Sequence, residues 1–280
     1  MHAPDTSTSA PSQLDQLVEK IEQRLADSDH GGAHALCREL LSLDPAHNQG
    51  NILMAQAMMP GENYTSLLGR LHEHLRPATY VEIGVASGAS IAVAGESTRC
   101  VGVDPYPRVK SRIRSKARLY PTESDEFFAQ YDLFEELGVA SLDLAFIDGL
   151  HLFEQAFRDF INLERYAGPQ TVITIHDCYP PTELCAARER ELTYWVGDVW
   201  RLIPCLRRHR PDLNVVVVPA LPSGVGIVTG LDPDSNVLSE RYDEIVAEAL
   251  AMPYADMDAS RDEMLNTIAN DWPAVRSCLP

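Results

Sequence analysis

The stretch "YVEIGVASGAS", residues 80–90, decides the fold. Tyr80–Ile83 reads as a buried strand, Gly84 and Gly88 open a tight turn, and Ala89–Ala94 is expected to begin a helix. A strand, a glycine turn and a helix N-terminus together form a nucleotide-type binding corner.

Outward from this corner, short apolar runs alternate with helical patterns. Cys100–Val103, Leu142–Ile147 and Thr171–Ile175 read as further strands of a parallel sheet with crossover helices, a doubly wound, Rossmann-like α/β fold. Toward the end, "LNVVVVPA" (213–220) and "GVGIVTG" (224–230) are separated by a few residues that include Pro222. A link that short suits a hairpin and not a crossover, so the last strand is expected to run antiparallel. That terminal hairpin favours a class I methyltransferase sheet over a dehydrogenase one.

Residues 1–12 are rich in Ser, Thr and Pro and are expected to be disordered. Leu14, Leu17, Val18, Ile21 and Leu25 recur at helical spacing, and His30-Gly31-Gly32 is expected to break that helix. A second helix carries Ala35, Leu36, Leu40 and Leu41, and a third spans Ile52–Met59. The stretch "CRELLSLDPAH" (37–47) resembles the end of one tetratricopeptide unit, and a single unit cannot bury its own face. Its apolar stripe (Leu17, Ile21, Leu40, Leu41) therefore suggests an interface with a second subunit or across an acceptor mouth. The expected organisation is a disordered start and helical appendage over 1–60, a core over 61–235 and a helical tail over 236–280.

Composition limits the partners. A formal charge of -18 argues against a nucleic-acid surface, which needs cations to neutralise phosphates. The basic cluster Arg108–Arg118 reads as a solvated connection offset by Glu123, Asp125 and Glu126. No apolar run approaches the roughly 20 residues of a membrane span, and the start lacks a signal peptide's basic and apolar regions. A cytoplasmic setting, with no membrane partner, is expected. The six cysteines contain no C-x-x-C pair, so reduced, mostly buried thiols are expected, Cys178 being a bystander.

A dinucleotide turn wants G-x-G-x-x-G, yet counting from Gly84 this chain offers Gly84, Ala86 and Ala89. Glu82 stands where its carboxylate would repel a diphosphate. S-adenosylmethionine brings an ammonium and a sulfonium instead, and an acid beside the turn suits those cations. Asp104, about 20 residues on, is where an adenosine ribose finds its hydroxyl partner. Glu82, Gly84, Gly88 and Asp104 are thus the expected cofactor-binding residues, with Ser124 placed near the adenine.

Residues 142–177, "LDLAFIDGLHLFEQAFRDFINLERYAGPQTVITIHD", hold the chemistry. Asp148 ends one strand, His151 follows within a turn, and His176-Asp177 ends the next. Ligands of open α/β sheets bind outside the carboxyl ends of strands, so these four groups converge on one rim. Two acids and an imidazole suffice for a hard divalent cation, Mg²⁺ or Mn²⁺. His151 is the expected general base and Asp148 its catalytic neighbour. Beyond the rim, Tyr194, Trp195 and Trp200 either stack on an acceptor or pack that segment onto the sheet, and Asp198 either contacts an acceptor hydroxyl or caps the next helix.

Through "VEIGVASGAS", "GVDPY", "FIDGLHLFEQAFRDF", "ITIHD" and "GDVWRLIP", the chain from Tyr64 to Asp232 resembles class I O-methyltransferases of the macrocin and cephalosporin-cluster type, methyltransferase family 24-like. These are distant relatives of catechol O-methyltransferase. The resemblance implies a metal held by Asp148, His176 and Asp177, with His176 departing from the Glu or Asp often found there. It implies methyl transfer from S-adenosylmethionine to a hydroxyl of a small-molecule or saccharide-type acceptor; a homo-oligomer is expected from the apolar stripe of the N-terminal helices. Two other classes stay open at this point: a dinucleotide-dependent oxidoreductase, and a noncatalytic interaction protein using the helical appendage.

Overall fold

The computed structural model describes residues 12–280. The expectation of a disordered start therefore lies outside the described residues except at Ser12, which closes a capping box with Asp15. That box starts α1 (Gln13–Ala26), followed by α2 (His30–Leu43) and α3 (Asn48–Met58). The expected break at His30-Gly31-Gly32 falls earlier. Asp29 accepts the Gly32 amide at 2.9 Å, so both glycines sit in the first turn of α2.

The apolar stripe of these helices is covered from within. Leu17, Ile21 and Leu40 are buried in a cluster with Cys37, Leu53 and Met54, and Leu41 packs against its rim. A third helix closes the face that two would leave open, which removes the reason for expecting that stripe to bind another subunit.

After α4 (Tyr64–Leu75), β1 (Thr79–Ile83), β2 (Arg99–Val103) and β3 (Lys116–Tyr120) form one side of the sheet, followed by α5 (Ser124–Gln130) and α6 (Leu133–Leu137). Then come β4 (Leu142–Ile147), α7 (Phe153–Glu164), β5 (Ala167–His176), α8 (Leu202–His209), β6 (Asn214–Val218) and β7 (Val225–Thr229). The seven strands lie in the order β3-β2-β1-β4-β5-β7-β6, with β7 antiparallel to both β5 and β6. This is the Rossmann-like class I methyltransferase sheet with its terminal hairpin. The tail forms α9 (Val237–Glu240), α10 (Tyr242–Leu250), α11 (Tyr254–Ala259), α12 (Arg261–Leu265) and α13 (Trp272–Arg276).

Two expectations near the glycine turn need correction. No α-helix follows it: Ile91–Val93 makes one 3-10 turn, Ala94 is already extended and β2 begins at Arg99. Gly95 and the short span to β2 leave no room for more. The basic cluster is only partly a connection, because Lys116 and Arg118 belong to the edge strand β3. Its supposed counter-charges face elsewhere: Asp125 pairs with Arg158 at 3.0 Å, Glu126 bonds Thr122 and Gln130, and Arg118 uses Glu136 instead.

The core lies on both sheet faces. Val81, Ile83, Ile147 and Ile175 pack under α7 and α8, while Tyr80, Leu144, Phe146 and Val172 pack under α4. Six cysteines are free thiols, five of them buried. Among the described residues no helix is long and apolar enough to cross a membrane.

Candidate active site

A cleft of about 510 Å³ opens at the carboxyl ends of β1, β2, β4 and β5, within the roughly 300–1,000 Å³ range of small-molecule sites. Its wall brings together Gly84, Asp104, Ser124, Asp148, His151 and His176. Five stretches separated by up to 92 positions of chain thus meet at one place, as the sheet order requires.

Gly84 is fixed by a close approach. It adopts φ +89°, and a Cβ there would lie 1.9 Å from the Asp148 carbonyl oxygen, so only glycine lets the turn pass the end of β4. Asp104 accepts the Ala86 amide at 2.7 Å and the Tyr106 amide at 2.6 Å, which ties the end of β2 to the turn. Ser124 begins α5 and accepts a hydrogen bond from Gln155 at 3.1 Å.

Glu82 and Gly88 lie off the wall. The Glu82 carboxyl is fully buried, taking hydrogen bonds from the Tyr80 hydroxyl at 2.6 Å and the Ser90 hydroxyl at 2.7 Å. Burial outweighs those bonds and pushes its pKa up to about 8. Gly88 supports the turn from behind, with Val109 closest to it.

The ends of β4 and β5 bring the four expected polar groups together. Asp148, His151 and Asp177 each offer a ligand atom within 4.8 Å of the others. His151 Nδ1 is buried 3.0 Å from Asp177 Oδ2 without hydrogen-bond alignment, an orphaned donor atom facing a carboxylate. His176 sits behind this trio. Its Nδ1 lies 3.0 Å from Asp148 Oδ1 and 3.3 Å from Asp177 Oδ1, so the ring bridges the two acids. Burial opposes charge on that ring, but the two carboxylates prevail and hold its pKa well above the ordinary imidazole value. Burial also works against ionised Asp177, yet His151, His176 and the Ser223 hydroxyl, donating at 2.5 Å, keep its pKa below the usual carboxylate value. Asp177 stands at φ +62°, a conformation Asp tolerates better than most residues.

The aromatic segment after β5 divides. Trp200 is fully buried and packs in the core, whereas the Trp195 ring stacks on His151. Asp198 does not cap α8. It accepts the Phe153 amide at 2.8 Å, satisfying the start of α7 from across the fold, and pairs with Arg188 and Arg201. Tertiary contacts of this kind have no local sequence signal. Cys178 is buried, which raises its thiol pKa and leaves it unreactive.

Residues 81–178 match the family model described as a methyltransferase domain. The match spans β1 to the end of β5, the part of the chain that builds the cleft. Together with the sheet order, it supports a methyltransferase domain of Rossmann-like architecture over that part of the chain. Solved structures similar to it include the O-methyltransferase TomG from Streptomyces achromogenes, involved in tomaymycin synthesis, in complex with SAM. That likeness has 15% identity over 59% of this chain and 78% of TomG, with a TM-score of 0.46. An O-methyltransferase from Bacillus cereus in complex with SAH is similar at 13% identity over 80% of this chain and 93% of the other, with a TM-score of 0.45. The SAH-bound methyltransferase PaMTH1 from Podospora anserina is similar at 15% identity over 81% and 91%, with a TM-score of 0.43. Comparison with curated protein sequences gives no match.

Proposed function

We propose that this protein transfers the methyl group of S-adenosylmethionine to a hydroxyl of a small-molecule or saccharide-type acceptor, assisted by a divalent cation. The observation that carries the proposal is the meeting of Asp148, His151 and Asp177 beside the cleft. Gly84, Asp104 and Ser124 hold the adenosyl part, Asp104 by its ribose-facing carboxylate. Glu82 and Gly88 act from behind, bracing the turn.

Methyl transfer is an in-line displacement, so the protein has to align an oxygen with the methyl carbon and take that oxygen's proton. An alcohol ionises too weakly to lose the proton unaided near neutral pH. With Nδ1 turned toward Asp177, His151 keeps Nε2 to accept it, a role worth roughly 10²–10⁴ in rate. The two hard carboxylate donors Asp148 and Asp177, meeting beside the cleft, fit a cation of the Mg²⁺ or Mn²⁺ class, which when bound would lower the pKa of an acceptor hydroxyl. On this reading Asp148 and Asp177 would hold the cation, and His151 keeps its Nδ1 hydrogen toward Asp177 so that Nε2 stays free as the base. The position of His176 behind both carboxylates supports an orienting role in place of the ligand role implied by family resemblance.

The separate apolar cluster of α1–α3 supports an appendage to residue 60 beside a core over 61–235, while the tail over 236–280 packs into the sheet's own core through Leu238, Ile245 and Met257. Turnover against a panel of hydroxylated acceptors, before and after EDTA, tests the chemical step. EDTA is expected to abolish turnover and Mg²⁺ or Mn²⁺ to restore it, and His151→Ala to cut turnover while leaving adenosylhomocysteine affinity intact. Full activity in EDTA overturns metal assistance, and wild-type rates in His151→Ala overturn the base.

A further inference from the structure

Residues 177–198 link β5 to the 3-10 turn that precedes α8, without strand or α-helix of their own, and are laced to two distant parts of the molecule. One attachment is to the N-terminal helices. Asn51 on α3 is fully buried, and its Oδ1 accepts the Thr182 hydroxyl at 2.7 Å and the Cys185 thiol at 3.4 Å. Its Nδ2 donates to the carbonyls of Pro45 and His47, so this one side chain joins α3, the turn before it and the strap. At the helix start, Asn48 Oδ1 accepts the Thr193 amide at 2.9 Å and hydroxyl at 2.6 Å.

The other attachment is to His151. The indole of Trp195 lies face to face on its imidazole, with centroids 5.1 Å apart and planes 7° apart, and Trp195 Nε1 donates to the Ala187 carbonyl at 2.6 Å. Gly197, at φ +70°, passes so close that a Cβ would lie 1.8 Å from the His151 carbonyl oxygen. The next amide, of Asp198, donates to that oxygen at 3.2 Å. Backbone contacts therefore fix where His151 starts. Its ring has no such anchor: Nδ1 faces Asp177 Oδ2 at 3.0 Å without an aligned hydrogen bond. The stacked indole is the contact that lies along the plane of the imidazole.

We propose that Trp195 is the positioning residue for His151, and that α1–α3, through Asn48 and Asn51, hold Trp195 in its stacking place. The N-terminal helices are then part of the active-site framework. The proposal rests on the reading of His151 as a functional group at the cleft. Its physical basis is that a misplacement of about 1 Å in a reacting group costs on the order of 10²-fold in rate.

The test is histidine-labelled NMR of the cofactor-free protein, with the His151 ring signal assigned by its absence in His151→Ala. Trp195→Leu is expected to shift that signal by removing the indole ring current. Asn48→Ala and Asn51→Ala, which touch neither ring, are expected to shift it in the same direction. Asn48 is exposed, so its variant keeps the folded state should Asn51→Ala lose it. In turnover, Trp195→Leu should lower kcat at least about tenfold with KM little changed, and Trp195→Phe should recover most of it. Adenosylhomocysteine affinity should fall by less than turnover does, because the adenosyl contacts at Gly84, Asp104 and Ser124 stay in place. A His151 signal unmoved by Trp195→Leu, or by Asn48→Ala and every folded Asn51 variant, overturns the proposal. Wild-type turnover in His151→Ala would instead sink the reading of the base, and leaves the NMR coupling standing, so the two failures are told apart.

Discussion

Replacing Glu82 with Gln removes a buried carboxyl that the fold keeps protonated. The carboxyl is fully buried, and its pKa stands at about 8 against an ordinary 4.5. The folded protein therefore keeps a proton that the unfolded chain has already lost, and stability falls as pH rises through the window from about 4.5 to about 8. At about 1.4 kcal/mol per pH unit the whole window is worth about 5 kcal/mol. Roughly two thirds of the change between pH 5 and 9 falls between pH 5 and 7, and the rest between pH 7 and 9. Glu82→Gln keeps the shape without the titration. Chemical unfolding of both proteins at pH 5, 7 and 9 gives the comparison, in which slopes from other groups such as Asp159, also raised by burial to about 7, cancel. The variant's stability relative to wild type should climb by about 4 kcal/mol across the series. A difference constant from pH 5 to 9 would show that Glu82 is not the buried acid described.

Three further outcomes follow from named contacts. Gly84→Ala forces a Cβ against the Asp148 carbonyl at an unfavourable φ, so it should cost about 2–4 kcal/mol and lower Tm by roughly 5–15 °C; an unchanged melt refutes the close approach. Asp104→Ala should weaken adenosylhomocysteine by about 1–3 kcal/mol in titration calorimetry, and an unchanged Kd places the ribose elsewhere. Asp198→Ala strips a fully buried carboxylate from Arg201, Arg188 and the Phe153 amide, and should cost about 3–5 kcal/mol in unfolding; a loss under about 1 kcal/mol contradicts the network.

What the sequence made legible was the buried sheet. β1, β2, β4 and β5 are continuous apolar runs because both faces are covered, and the short Pro-containing link announced the hairpin. β3 escaped because it is an edge strand whose exposed face carries Lys116 and Arg118, so its pattern reads as a charged loop. The site was legible as residue types at strand ends, which put Asp148, His151, His176 and Asp177 at one rim. Their division of labour was not, since whether a ring faces a carboxylate or the cleft depends on χ angles and neighbours distant in sequence. Asp198 capping α7, and α3 closing the cluster of α1 and α2, escaped for the same reason.

The central claim is that the cleft between the ends of β1 and β4 receives an adenosyl sulfonium cofactor. Titration calorimetry of the same protein with adenosylhomocysteine and with NAD tests it most directly. Saturable binding of adenosylhomocysteine at one site per chain, weakened by Asp104→Ala, with no heat from NAD, is the predicted result. Binding of NAD with none of adenosylhomocysteine would contradict it.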